Sequence, residues 1–110
     1  MNDDSDFSSM LIHINGLKDG RTPFILYFET SDCGVCHAIF PKLKRTLHDY
    51  EIDIVKIDAV ENAEIAAQQL VFTVPTILLW AEGKEMLRES RYIDFSKITR
   101  ILDALHEASE

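Results

Sequence analysis

The feature that most constrains the fold of this chain is the uninterrupted apolar run FILYF at residues 24–28. The run has the length of a β-strand and lacks the alternating polar residues of a strand with one face in water. A strand of this kind is covered on both faces, as the central strands of α/β proteins are. We therefore expect a buried central strand with helices packed on both sides of its sheet.

The segments around this run alternate between helical and extended patterns. Helices are predicted over 7–17, 36–48, 61–70 and 95–105, and strands over 24–28, 52–58, 76–80 and 85–92. The last strand follows a Gly-containing turn and is expected to pair back on the one before it as a hairpin. This order favours parallel strands joined by right-handed crossovers and closed by an antiparallel hairpin, in an α/β sandwich.

The composition is that of an ordinary globular domain. The chain has 110 residues, of which 46% are hydrophobic and 27% charged, and we expect a single domain over residues 1–110. Its 19 acidic residues against 11 Lys and Arg give a formal net charge of -8, which disfavours nucleic acid and anionic membranes as partners. The acidic start, residues 1–6, is expected to be a flexible tip and is unlike an export signal. We therefore expect a cytoplasmic monomer that neither enters nor binds a membrane.

The residues that suggest chemistry are concentrated in TSDCGVCHAIFPKL, residues 30–43, directly after the central strand. Cys33 and Cys36 form a C-x-x-C pair, and His37 extends it to C-x-x-C-H. The shorter pattern is typical of a redox dithiol and the longer one of covalent haem attachment. Half of a zinc site is a third interpretation of the same residues.

Context favours the dithiol over the other two interpretations. A zinc site needs four ligands, and the chain has no second cysteine pair and no histidine pair at finger spacing. A haem would need a cavity that a short chain built around a sheet does not obviously offer. In the first turn of a helix, Cys33 and Cys36 lie on one side, and the positive end of the helix dipole stabilises a thiolate at Cys33. We therefore predict that Cys33 attacks and Cys36 resolves, with no metal and no organic cofactor.

Three features together make the chain resemble the thioredoxin family. They are the buried strand that runs into the CGVC motif at 33–36, Pro41 within the next helix, and the VPT motif at 74–76 ahead of a strand. The resemblance implies a thioredoxin fold, with a central four-stranded mixed sheet flanked by four helices and the family's N-terminal strand missing or vestigial. It also implies reduction of protein disulfides, with a reductase or a small thiol as the electron donor.

The resemblance extends to the residues that would contact a substrate. In the family, the proline that corresponds to Pro75 follows a cis peptide bond and lies beside the dithiol. The exposed backbone of Val74 would then pair with an extended substrate segment. Gly34 and Val35, between the cysteines, are the other expected substrate contacts.

The sequence departs from the family pattern at three positions near the motif. Asp32 and Val35 stand where thioredoxins often have Trp and Pro. Tyr27 occupies the place of a buried aspartate that is implicated in proton transfer to the resolving cysteine. Glu29 points to the same face by strand alternation and is our candidate for a substitute proton acceptor. Lys56 matches a lysine near that acid in the family.

Two functions other than catalysis of disulfide reduction stay open at this point. One is a thioredoxin-fold binding or chaperone-like module in which the dithiol has only incidental redox activity. The other is a c-type haem carrier that uses the C-x-x-C-H pattern. The sequence names neither the physiological substrate nor the electron donor.

Overall fold

The computed structural model describes residues 3–109, and the side chains of residues 9–108. The elements are α1 (Asp3–Asp19), β1 (Phe24–Glu29), α2 (Gly34–Leu47), β2 (Asp53–Asp58), α3 (Ala63–Gln68), β3 (Thr76–Ala81), β4 (Lys84–Ser90) and α4 (Phe95–Ser109). A short 3-10 helix, His48–Tyr50, follows α2 directly. Met1 and Asn2 of the expected flexible tip lie outside the described residues, and α1 already begins within the rest of that tip.

The four strands form one mixed sheet in the order β2-β1-β3-β4. β1 pairs with β2 in parallel and with β3 in antiparallel orientation, and β3 and β4 form the predicted antiparallel hairpin. Four helices accompany the four strands among residues 3–109, so the predicted fold class is confirmed. Within this range the first element is a helix, in agreement with the expected lack of an N-terminal strand.

The direction of β3 corrects the parallel arrangement that alternating strands and helices favoured. α3 has six residues, which corresponds to about 9 Å of helix, whereas a six-residue strand is about 20 Å long. Such a short helix does not return the chain to the far edge of the sheet. β3 therefore starts at the edge where β2 ends and runs back antiparallel to β1.

Two apolar layers cover the two faces of the sheet. Successive residues of a strand point to opposite faces, so β1 contributes to both layers. One layer contains Ile14, Phe24, Leu26, Phe28, Ile57, Ile65 and Leu78, and the other contains Ile25, Tyr27, Leu43, Leu47, Ile77, Leu79, Ile98 and Leu102. All six residues of β1 are buried: the five apolar ones, as the run predicted, and also Glu29 at its end. Within the described part of the chain, no helix is long and apolar enough to cross a membrane.

The topology brings three loops together at one edge of the sheet. β1 and β2 are parallel and end at this edge, and β3, antiparallel to β1, begins there. Residues 30–33, 59–62 and 69–75 are therefore neighbours, although positions 30 and 75 are 45 residues apart in sequence. The cysteine motif and the VPT motif belong to this edge.

The two-layer core predicts a large stability difference between buried and exposed leucines. Leu78→Ala removes a side chain with 0% exposure from β3 and should lower the free energy of unfolding by about 2–5 kcal/mol. Leu70→Ala makes the same change at a side chain that is 66% exposed, and should cost no more than roughly 0.5 kcal/mol. Urea unfolding of the oxidised proteins measures both values. Equal losses in the two variants would contradict this core.

Candidate active site

Cys33 and Cys36 lie at the N-terminus of α2 and are joined by a disulfide, with their Cα atoms 5.3 Å apart. Cys33 is the N-cap residue, and its Sγ accepts a hydrogen bond from the backbone N–H of Cys36 at 3.1 Å. Cys36 is completely buried, whereas Cys33 is half-buried. A second molecule can therefore reach only the sulfur of Cys33, and the positive end of the helix favours negative charge at that sulfur after reduction.

The residues next to Cys33 are presented to solvent. Gly34 and Val35 are exposed, and the Val35 side chain is 58% accessible. A Cβ atom placed on Gly34 would meet no other atom within 4 Å, so the space above this turn is open. In the turn before Cys33, the Thr30 hydroxyl donates a hydrogen bond to Oδ1 of Asp32 at 2.8 Å. The Asp32 carboxylate thus has a local partner in the turn that leads to the cysteines.

The peptide bond between Val74 and Pro75 is cis, and Pro75 is buried. The backbone N–H of Arg91 donates to the carbonyl of Pro75 at 2.9 Å and fixes this end of β3 against the end of β4. Because Phe28 is opposite Thr76, Pro75 lies at the edge where the chain leaves β1 toward the cysteines. The fold therefore places the cis-proline turn and the disulfide at the same end of the sheet.

An open cavity of about 320 Å³ lies at this edge between the three loops. Its lining comes from Thr30, Ala59, Val60, Ala63, Ala66, Ala67, Val71, Phe72, Thr73 and Val74. Most of these side chains are apolar, and Phe72 at the rim is 83% exposed. Phe72 was not among the predicted site residues, because an isolated aromatic between a helix and a strand is more often part of a core.

Behind the cysteines, a small polar cluster lies on the face of the sheet that α2 covers. The hydroxyl of the fully buried Tyr27 donates a hydrogen bond to the carbonyl of Cys36 at 2.6 Å. Glu29 is 8% exposed, and its Oε2 is 3.3 Å from Nζ of Lys56 on β2. The ammonium of Lys56 also lies 4.5 Å from the centre of the Phe40 ring. Two of our predicted site residues, Glu29 and Lys56, are thus an ion pair.

Tyr27 and Glu29 have different hydrogen-bonding roles in this cluster. Burial, with the negative charge of Glu29 as a second cause, raises the pKa of Tyr27 to about 12. At neutral pH Tyr27 is therefore a neutral hydrogen-bond donor and cannot accept a proton. Oε1 of Glu29 is buried and has no hydrogen-bond partner among the described residues, so a carboxylate lone pair is available there.

Comparison with known proteins places this geometry in a family. The model of the family described as Thioredoxin matches residues 5–106. The chain is also 36% identical over 97 residues to the thioredoxin-like protein YdfQ of Bacillus subtilis, which covers 87% of this chain and 86% of that protein. The chain belongs to the thioredoxin family. Thioredoxin of Staphylococcus epidermidis is 29% identical over 102 residues, covering 91% of this chain and 90% of that thioredoxin.

Solved thioredoxin structures agree with this assignment. Thioredoxin 1 of Thermosipho africanus superposes with a TM-score of 0.69 at 36% identity, over 77% of this chain and 96% of that chain. Thioredoxin NaTrxh of Nicotiana alata gives a TM-score of 0.75 at 26% identity, over 86% and 83% of the two chains. The thioredoxin fold is thereby confirmed. Family membership and the close pair of Cys33 and Cys36 indicate a thiol-disulfide oxidoreductase.

The main feature of this thioredoxin-family site that sequence reasoning missed is the contact between Tyr27 and Cys36. The signal was present, because a tyrosine in a fully buried strand needs a hydrogen-bond partner for its hydroxyl. The partner was not predictable, since it is a main-chain carbonyl on another element. Among the described residues, no three His, Cys, Asp or Glu side chains are grouped as metal ligands.

The buried environment of Tyr27 predicts an alkaline transition. Its pKa is raised from 10.0 to about 12, so the neutral phenol stabilises the fold fully below pH 10 and loses this contribution as the pH rises toward 12. The difference in tyrosinate absorbance between the wild type and Tyr27→Phe should show this late titration. The free energy of unfolding should also fall less over this pH range in Tyr27→Phe. A Tyr27 that ionises like a tyrosine in water would contradict the buried hydrogen bond.

Proposed function

We propose that this protein reduces disulfide bonds of protein substrates through Cys33 and Cys36. The observation that carries the proposal is the asymmetric sulfur pair at the start of α2. Cys33 is accessible and caps the helix, whereas Cys36 is buried and already within bonding distance of it. This arrangement suits an attacking sulfur followed by a resolving one.

The proposed reaction has two thiol–disulfide exchanges. The Cys33 thiolate attacks one sulfur of the substrate disulfide, whose S–S bond breaks and releases a thiolate that takes up a proton. Cys36 then gives up its proton and attacks Sγ of Cys33 in the mixed disulfide, and the second substrate sulfur leaves as a thiolate. The substrate has gained an electron pair, and the protein is left with the Cys33–Cys36 disulfide. A reductase or a small thiol then supplies an electron pair that reduces this disulfide and regenerates the dithiol.

The proposed substrate contacts lie at the same edge of the sheet as Cys33. Gly34 and Val35 are exposed beside Cys33, and Val74 lines the neighbouring cavity. No backbone hydrogen bond is formed by Val74 among the described residues, so its N–H and C=O can pair with an extended segment. The cis bond before Pro75 holds this backbone at the edge of the sheet.

Proton transfer during resolution is assigned to Glu29 and Lys56. The thiol of Cys36 is buried, so its proton needs an acceptor within the protein or a bound water. Oε1 of Glu29 is unpartnered among the described residues and lies on the face that α2 covers. Lys56, half-exposed at 3.3 Å from the other carboxylate oxygen, connects Glu29 to solvent.

Charge and composition support proposals on the substrate class, the oligomeric state, the location and the lack of a cofactor. With a formal net charge of -8, the protein is proposed to act on protein disulfides rather than on nucleic acid or at an anionic membrane. We further propose that residues 1–110 form one domain that works as a cytoplasmic monomer without a metal or an organic cofactor.

A second candidate function is peptide binding with incidental redox activity. The exposed Phe72 and the apolar cavity beside it favour this alternative, because such surface binds extended apolar segments whether or not a disulfide is present. The two candidates differ in whether turnover depends on Cys33. A visible spectrum with a Soret band would instead support the haem alternative.

Replacement of Cys33 tests the proposed function directly. With dithiothreitol as the donor, the wild type should accelerate insulin reduction, whereas Cys33→Ser should give only the uncatalysed rate. Cys36→Ser keeps the attacking sulfur and should accumulate a mixed disulfide with the substrate, which non-reducing mass spectrometry detects. If wild type and Cys33→Ser are equally fast, the protein is not a disulfide reductase.

Replacement of Glu29 tests the proton acceptor. Glu29→Gln keeps the shape of the side chain but removes its basicity, and should slow insulin turnover at neutral pH by about tenfold or more, as expected when a positioned acid–base group is lost. Since thiolate forms without help at high pH, the loss should diminish as the pH rises. Glu107→Gln, an exposed position on α4, is the matched control and should behave like the wild type. Identical rates for Glu29→Gln and the wild type would remove Glu29 from the mechanism.

A further inference from the structure

The hydrogen bond from Tyr27 to Cys36 joins the most buried strand of the protein to the resolving cysteine. The hydroxyl oxygen lies 2.6 Å from the carbonyl oxygen of Cys36, at the short end of the range for such bonds. Tyr27 has no exposed surface, and its ring contacts Phe40 of α2, with ring centres 5.3 Å apart. The hydroxyl is therefore fixed on both sides, by the sheet behind it and by α2 above it.

Both main-chain groups of Cys36 are held by specific partners. Its N–H donates to Sγ of Cys33, and its C=O accepts from Tyr27. The first bond ties Cys36 to the sulfur that it must attack, and the second ties it to the sheet. Movement of the first turn of α2 relative to the sheet would break the bond to Tyr27, whereas the bond to Cys33 lies within that turn and would move with it.

The helix needs such a constraint at this point because it contains Pro41. Pro41 has no N–H, so the carbonyl of His37 lacks its helical donor within α2. The first turn of α2 is thus joined to the rest of the helix by fewer backbone hydrogen bonds than an ordinary helix provides. When the disulfide is reduced, the covalent link between Cys33 and Cys36 is also lost.

We propose that Tyr27 is a positioning residue for the resolving step, because its hydroxyl holds the backbone of Cys36 so that the Cys36 sulfur stays aligned with Sγ of Cys33. This inference rests on the proposed dithiol function. Tyr27 forms no bond to the substrate and exchanges no proton. It acts only on the second exchange, in which the Cys36 thiolate attacks Cys33, the substrate sulfur departs with the electron pair, and the internal disulfide forms.

The groups around Tyr27 are consistent with a purely positional role. The charged groups near it are Glu29 on its own strand and Lys56, its direct neighbour on β2, and these two form an ion pair. The adjacent residue of β3 is Ile77, and Phe40 covers the ring from α2. The phenol therefore faces one acceptor, the Cys36 carbonyl, among mainly apolar surfaces.

The attack by Cys33 and the resolution by Cys36 can be timed separately with a small aromatic disulfide as the substrate. Each exchange releases one coloured aromatic thiolate. With excess reagent and reduced protein, attack by Cys33 gives the first release and resolution by Cys36 gives the second. Tyr27→Phe should leave the first rate unchanged and slow the second by about five- to tenfold, the factor that one hydrogen bond is worth. Tyr50→Phe removes a hydroxyl that donates to Oδ1 of Asp103 at 2.7 Å and should change neither rate.

Two outcomes would overturn the positioning role. The first is that the second thiolate is released as fast from Tyr27→Phe as from the wild type. The other is that both releases slow by the same factor, as a general loss of structure would cause. Insulin is absent from this assay, so a protein that fails to reduce insulin can still show the step-specific effect. The two proposals can thus fail separately.

A measurement on the wild type covers the case in which Tyr27→Phe does not fold. A buried, hydrogen-bonded tyrosine hydroxyl exchanges slowly enough to give its own proton resonance. The reduced protein should show this resonance with a nuclear Overhauser contact to the backbone of α2 around Cys36. Its presence supports the inference, and its absence from the reduced protein overturns it, since the bond must persist after the disulfide opens.

Discussion

The burial of β1 on both faces is the constraint from which the arrangement of the site follows. A strand that is covered along its whole length must have helices on each side, and its loops can emerge only at the two edges of the sheet. The chain leaves β1 at Glu29 and enters α2 at Gly34 after a turn of four residues. The cysteines therefore lie at the edge of the buried core, directly after its central strand.

The same burial limits which polar residues this strand can carry. A carboxylate taken out of water must be paired or protonated, and Glu29 meets this demand by lying at the end of β1 beside Lys56. Tyr27, two residues deeper, has a hydroxyl that one carbonyl satisfies without any charge. The sequence thus places a neutral hydrogen-bond donor at a fully buried position of the strand, and a carboxyl group paired with a lysine at its end.

The elements of this fold were predictable because their signals are local, whereas the one wrong strand direction and the contacts that were not predicted depend on non-local geometry. The apolar run of β1, the helical spacing of α2 and α4 and the CGVC motif can all be read within short windows. The antiparallel direction of β3 depends instead on α3 being too short to recross the sheet. The pairing of Glu29 with Lys56 depends on the register between β1 and β2. The hydrogen bond from Tyr27 to Cys36 depends on where along β1 the first turn of α2 packs. No periodicity encodes these distances.

The contrast between Cys33 and Cys36 gives a physical reason for the proposed order of exchange. A substrate disulfide can meet only the half-buried sulfur of Cys33, at the positive end of the helix. The sulfur of Cys36 is buried beneath it and can react only with a partner that Cys33 has already captured. Because its reaction is intramolecular, its rate depends on alignment more than on encounter, and alignment is what a hydrogen bond from a rigid strand supplies. In the proposed mechanism, accessibility therefore governs the first exchange, and the geometry between β1 and α2 governs the second.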